Sequence, residues 1–94
     1  MELLETSTKK LVEEIRKEFQ IPPYYGDEGL VNHVKEGESI LLPLVPNADV
    51  DKDMTYRMLL KNYVNYAYYH KVNEWRENYS SMILEWQLNQ EVTG

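Results

Sequence analysis

The chain reads as an all-α protein, a small single-domain bundle of three to four helices with a long aromatic-rich C-terminal helical half. Three observations predict this class. Apolar residues recur at three- and four-residue steps through most of the 94 positions, no strand-like alternation of useful length interrupts them, and no Gly or Pro occurs between Met54 and the final Gly94. A chain of this size buries only about 60 to 65% of its unfolded surface, so one compact domain with a thin stability margin is expected.

The first helix is placed at about 7–19. Ser7 and Thr8 can cap it, and Leu11, Val12, Ile15 and Phe19 form its apolar stripe between charged residues. Pro22 and Pro23 then stop it, since neither offers an amide hydrogen and both bias the preceding residue away from helical geometry. The second helix is placed at 27–42, with Asp27 as N-cap and Leu30, Val31, Val34 and Leu41 on the buried face. Gly37 falls on that face, where its propensity cost of about 1 kcal/mol points to a close helix approach or else to a weak point in the helix. Pro43 is expected to end or kink the helix.

Asp53 is the expected cap of a third helix at 53–71, whose stripe is Tyr56, Leu59, Tyr63, Tyr66 and His70. A second stripe, Val72, Trp75, Tyr79, Met82 and Trp86, runs out of phase with it. The phase change between His70 and Asn73 fits either one long helix that rotates its buried face there or, as favoured here, a break with Asn73 as cap of a fourth helix at 73–90. Residues 1–6 and 91–94 are expected to fray.

Composition narrows the function. No cysteine is present, which excludes disulfides, thiolate metal sites and thiol catalysis. The acidic start Met1-Glu2-Leu3-Leu4-Glu5 matches neither a signal peptide nor a membrane span, so a soluble, unexported chain is expected. A net charge of -6 argues against tight DNA binding, which relies on Lys and Arg neutralising phosphates.

Motifs with chemistry are weak. Asp49, Asp51 and Asp53 alternate as an EF-hand loop begins, but Met54 stands where that loop needs Gly and Leu60 where it needs Glu. A solvated loop with a helix cap is the expectation. Glu74 and Glu77 have the spacing of a magnesium-binding pair in helical nucleotide pyrophosphohydrolases, and Glu14 and Glu18 are the available second pair, at a spacing common on wet surfaces. His33 and His70 each stand alone in the sequence, without a second histidine at ligand spacing. Gly26 and Gly29 flank acidic Asp27 and Glu28, which repel phosphate. Pro43-Leu44-Val45-Pro46 is explained as a helix stop. No catalytic, metal or cofactor site is predicted.

The strongest anomaly is the series Tyr56, Tyr63, Tyr66, Tyr68, Tyr69, Trp75, Tyr79 and Trp86. These rings cannot all face one side of a helix. With only Arg57, Lys61, Lys71 and Arg76 nearby, a protein interface is favoured over nucleic-acid stacking, with part of the series in the core.

The run MLLKNYVNYAYYHKVNEWRENYSSMILEWQLNQE, from Met58 to Glu91, resembles the C-terminal half of small head-tail connector proteins of long-tailed phages of Gram-positive hosts. That family similarly places an aromatic-rich helix, an acidic-aromatic segment and a closing Ile-Leu-x-x-Gln-Leu element in this order. Ile15 to Ile21 resembles its first helix, and Asp27-Glu28 with Leu30 its entry into the second. The likeness spans roughly residues 11–90, while Pro22-Pro23 and Pro43 depart from it. It implies a non-enzymatic subunit that forms a homo-oligomeric ring beneath the portal protein and extends the DNA channel, without sequence-specific DNA binding or membrane contact. It also implies docking of the next head-completion or tail protein, assembly in the host cytoplasm and residence at the head-tail interface of the virion. Trp75, Tyr79 and Trp86 are then expected to anchor packing or subunit contacts, with Tyr63, Tyr66 and Tyr69 on a neighbouring surface. A small acidic helical adaptor that masks a partner's surface is the alternative, and the pyrophosphohydrolase stands third.

Overall fold

The computed structural model describes the backbone of residues 2–93 and the side chains of residues 7–90. Four helices follow one another: α1 (Glu2–Glu18), α2 (Asp27–Leu41), α3 (Met54–Tyr68) and α4 (Val72–Thr93), with no strand among the described residues. The all-α bundle is thus as expected. α1 starts at Glu2, so Ser7 lies inside the helix instead of capping it, and its hydroxyl donates to Asp51 Oδ2 across 3.0 Å. α4 runs to Thr93, past the expected end at 90, and for Met1 and Gly94 the expectation of fraying lies outside the described residues.

α3 is the central element. It packs against each of the other three helices, whereas α4 packs against α3 alone. The core accordingly collects Leu11, Val12 and Ile15 from α1, Leu30, Val34 and Leu41 from α2, and Leu59, Leu60, Tyr63, Val64 and Ala67 from α3. Ile21 and Val45, from the two connections, close it at either end.

The closest approach is between α2 and α3. A Cβ built on Gly37 would stand 2.6 Å from Leu60 Cδ1 and 3.0 Å from Tyr63 Cδ1, so a hydrogen atom there lets the two backbones come together. Both neighbours are buried and have little room to retreat.

Two of the helices end by the same device. α1 and α3 both finish in a residue of left-handed backbone that is not glycine, Gln20 at φ 54° and His70 at φ 60°. Around Gln20, Ile21 N–H reaches Arg16 O and Gln20 N–H reaches Lys17 O; around His70, Lys71 N–H reaches Tyr66 O and His70 N–H reaches Ala67 O. This doubled bonding satisfies the last carbonyls of each helix, and the inverted residue turns the chain sharply. His70 therefore leaves the α3 stripe assigned to it and is exposed. It also separates α3 from α4, as the phase change predicted, although α4 begins at Val72 and Asn73 lies within its first turn.

Starts differ. α2 has Gly26 as N-cap with no side-chain bond, and Asp27, expected there, instead pairs with Arg16 at 2.6 Å. The Arg16 guanidinium also donates to the carbonyls of Pro22 and Tyr25, at 2.7 and 2.8 Å, which pins the proline-containing connection between α1 and α2. Asp53 does cap α3, its Oδ1 accepting Tyr56 N–H at 3.1 Å. Its Oδ2 accepts the Trp86 indole N–H at 2.8 Å and a Gln90 amide N–H at 3.4 Å.

Three substitutions have expected outcomes in urea unfolding. Asp53→Ala should lower stability by about 2–4 kcal/mol, the sum of a lost cap and an indole N–H left without a partner. Asp53→Asn, which keeps a capping oxygen, should cost less. Gly37→Ala should destabilise by about 1 kcal/mol, because overpacking between Leu60 and Tyr63 outweighs the gain in helix propensity.

Candidate interaction surfaces

The aromatic residues singled out in the sequence divide into core and surface. Trp75 is fully buried, packs edge-on against Tyr63 with ring centroids 5.0 Å apart, and donates its indole N–H to Leu59 O. Trp86 is likewise buried and stacks flat on Tyr56 at 5.5 Å. These two indoles are packing anchors between α3 and α4. Tyr63 does not contribute to an outer surface as expected: its ring is enclosed between Gly37 and Trp75, and only its hydroxyl emerges, donating to Glu36. Enclosure follows from position, since the residue lies on the side of the central helix that both neighbours cover.

Tyr66 and Tyr79 meet edge-on at 5.9 Å across the α3–α4 seam and are half-buried. Burial, and then the neighbouring Tyr66 phenol, push the Tyr79 hydroxyl above its ordinary pKa. Tyr69 alone of the six expected interface residues is well exposed, at 58%.

Tyr69 belongs to a cluster that the sequence conceals. Its ring stands edge-on to Tyr68, at 4.9 Å, and Tyr68 in turn stands edge-on to Tyr25, at 4.8 Å. Tyr24 adjoins them, 87% exposed. Tyr24 and Tyr25 come from the connection that Arg16 pins, and Tyr68 and Tyr69 from the end of α3, so residues over forty positions apart share one surface. The interposed Pro-Pro turn hid the pairing, because no helical periodicity links a loop to a helix end.

A second apolar surface lies elsewhere. Leu84 and Leu88, 56% and 48% exposed, stand one turn apart on α4, two residues either side of buried Trp86. Helical geometry puts them roughly opposite that indole, on the outer face of α4. Since Trp86 meets Asp53 at the start of α3, this leucine pair sits at the other end of the bundle from the tyrosine cluster. Met54 and Met58 add exposed apolar surface on the first turns of α3, at 69% and 40%.

A few charged groups engage one another across the bundle. Arg57 and Lys61 of α3 both pair with Glu14 of α1, and Lys61 pairs also with Glu18 at 2.7 Å. Glu14 and Glu18 are thus committed to a strap between α1 and α3. Glu74 and Glu77 are exposed on α4, which does not pack against α1, so the two acidic pairs do not converge. Asp49, Asp51 and Asp53 also diverge: Asp49 accepts Asp51 N–H, Asp51 accepts Ser7, and Asp53 serves Tyr56 and Trp86. No group of three or more His, Asp and Glu able to hold a metal ion occurs among the described residues.

His33 and His70, separate in the sequence, line one surface hollow together with Glu36. Both ring nitrogens of His33 are occupied, Nδ1 by Glu36 at 3.1 Å and Nε2 by the Tyr25 hydroxyl at 3.2 Å. With Nδ1–H donating to the carboxylate, Nε2 accepts from Tyr25, which ties the tyrosine cluster to α2. No helix among the described residues is long and apolar enough to cross a membrane. No family model, curated protein or solved structure matches the chain.

The strap sets an acid response. Hydrogen bonds from Arg57, then from Lys61, hold the Glu14 carboxyl at about 2, below the ordinary 4.5. The folded value lies below the unfolded one, so this stabilisation is full above about pH 4.5 and disappears as pH falls towards 2. Glu14 is more than a third exposed, and solvent screening limits the effect to about 1 kcal/mol. Glu14→Gln should therefore be less stable than the parent chain at pH 6 and nearly equal to it at pH 2, measured by urea unfolding at both values.

Proposed function

We propose that the chain is a structural assembly subunit without enzymatic activity, a head-tail connector that forms a ring beneath the portal protein and docks the next head-completion or tail protein. The observation that carries this reading is the pair of dissimilar apolar surfaces at opposite ends of the bundle, the tyrosine cluster and the Leu84–Leu88 face. A head-to-tail ring joins two different patches of each subunit, and closes when the rotation between copies divides the circle. A two-fold dimer would need only one.

Composition supports the same reading. Tyrosine carries large contact area with a hydroxyl that tolerates water before assembly, which suits a subunit that waits in the host cytoplasm for its partners. The net charge of -6 would let DNA pass along a ring lumen without sticking. The family resemblance of Met58 to Glu91 adds the particular setting: virion, portal neighbour, DNA channel. The monomer's own core already encloses Trp75 and Trp86, so contact between subunits falls to the residues left outside it, above all Tyr24, Tyr69, Leu84 and Leu88.

Mass-resolved size-exclusion chromatography tests this, with the purified chain alone and mixed with the portal protein encoded nearest to it. A large ring or co-elution with the portal is expected. Tyr69→Ala combined with Leu88→Ala should change monomer stability by less than about 1 kcal/mol, as surface substitutions usually do, while weakening assembly at least tenfold. A monomer indifferent to the portal, at concentrations that assemble other connectors, would overturn the proposal in favour of an adaptor.

A further inference from the structure

A cavity of about 450 Å³ opens between the α1 segment around Ser7 and Leu11 and the connection from α2 to α3. Its walls are of two kinds. Leu11, Leu42 and Val50 supply apolar surface, while Glu38, Asp49 and Asp51 supply carboxylates and Tyr56 a phenol.

Tyr56 is the telling residue. The side chain is 2% exposed and its ring is stacked on Trp86, yet its hydroxyl has no hydrogen bond to any described residue. Nor is that oxygen sealed from solvent, so the cavity it lines is where it meets water. Glu38 is similar. It is half-buried on α2 and has neither an ion pair nor a side-chain hydrogen bond with a described residue; burial raises its carboxyl above the ordinary value, and the charge of Lys35 only partly opposes this. The two groups are close enough for Glu38 to be, after burial, the largest influence on the Tyr56 phenol, which is pushed up to about 12. A phenol on a buried ring and a half-buried carboxylate, neither bonded to another described side chain, line one cavity and offer it two acceptors.

The other carboxylates are partly occupied. Asp49 Oδ1 accepts Asp51 N–H, Asp51 Oδ2 accepts the Ser7 hydroxyl, and Asp51 Oδ1 lies 3.7 Å from Arg57. Three carboxylates exclude an anion. A hard divalent cation would want several converging oxygens, and the described residues offer no such group, while much of the wall is hydrocarbon. What remains is a cation with an aliphatic stem.

We propose that this cavity binds a primary alkylammonium group, its N–H donors directed to the Glu38 carboxylate and the Tyr56 phenol oxygen and its methylene chain laid against Leu11, Leu42 and Val50. An ammonium has three donors and no acceptor, which matches a wall of acceptors, and a cavity of this volume is of ligand-binding size. Two sources present the same chemistry: a free aliphatic diamine and the side chain of a lysine on a partner. The site is independent of the assembly proposal, since neither the tyrosine cluster nor the Leu84–Leu88 face enters it.

The test is a ¹H–¹⁵N NMR titration of the whole chain with 1,5-diaminopentane and, separately, with Nα-acetyl-lysine methylamide. Saturable shifts are expected at the amides of residues 49–51 and at the Trp86 indole, which lies against Tyr56. Glu38→Gln and Tyr56→Phe, checked for unchanged helical circular dichroism, should each weaken binding about tenfold, the effect of one charge-assisted hydrogen bond. Binding of the diamine supports a free polyamine as occupant, and binding of the lysine derivative alone supports a partner's lysine. Absence of saturable shifts with both compounds, or shifts of equal size in the two variants and the parent, would overturn the proposal.

Discussion

Asp53 uses its two carboxylate oxygens on different helices. Oδ1 closes the first turn of α3, and Oδ2 receives the indole of Trp86 and the amide of Gln90 from α4. Because α4 packs on α3 and on no other helix, its register along the bundle is set by this bond at one end and by the left-handed turn at His70 at the other. The stacking of Tyr56 on Trp86 and the enclosure of Trp75 against Tyr63 both need that register. A slip of one residue on α4 would rotate its face by about 100° and carry both indoles out of the seam.

The rest of the bundle is organised by α3 for a different reason. A central helix must be apolar on more than one side, and this one alternates buried residues on two faces: Tyr56, Leu60, Tyr63 and Val64 among them. Gly37 lets α2 lie close to it, while Arg57 and Lys61, on a third side, reach Glu14 and Glu18 of α1. Hydrophobic contact thus holds α2 and α4 to the centre. α1 adds an ionic strap to its apolar stripe of Leu11, Val12 and Ile15.

Much of this was legible in the sequence wherever one residue type has one physical use. The periodicity of Leu11, Val12 and Ile15, the stop at Pro43, the cap at Asp53 and the small residue at Gly37 each follow from local rules. Ends were less legible. Ser7 and Asp27 are good caps by type, but Ser7 has helix on both sides of it and Asp27 is drawn to Arg16. Gln20 and His70 hold a conformation that glycine usually supplies, and nothing in their identity announces it. The surfaces were hardest to read, because the tyrosine cluster joins a loop to a helix end and so depends on tertiary structure. Periodicity put Tyr63 in the α3 stripe, in keeping with its enclosure, whereas the family resemblance placed it with Tyr66 and Tyr69 on an outer surface that the central position of α3 denies it.

The two tryptophans have a practical consequence. Both lie on α4 and both are buried against α3, one near each end of the contact. Intrinsic tryptophan emission from this chain is therefore a report on a single seam, blind to the packing of α1 on α2. Any event that lifts α4 away would redden and alter that emission at once, while loosening elsewhere would leave it unchanged. The molecule thus carries a built-in optical gauge of whether its last helix is docked.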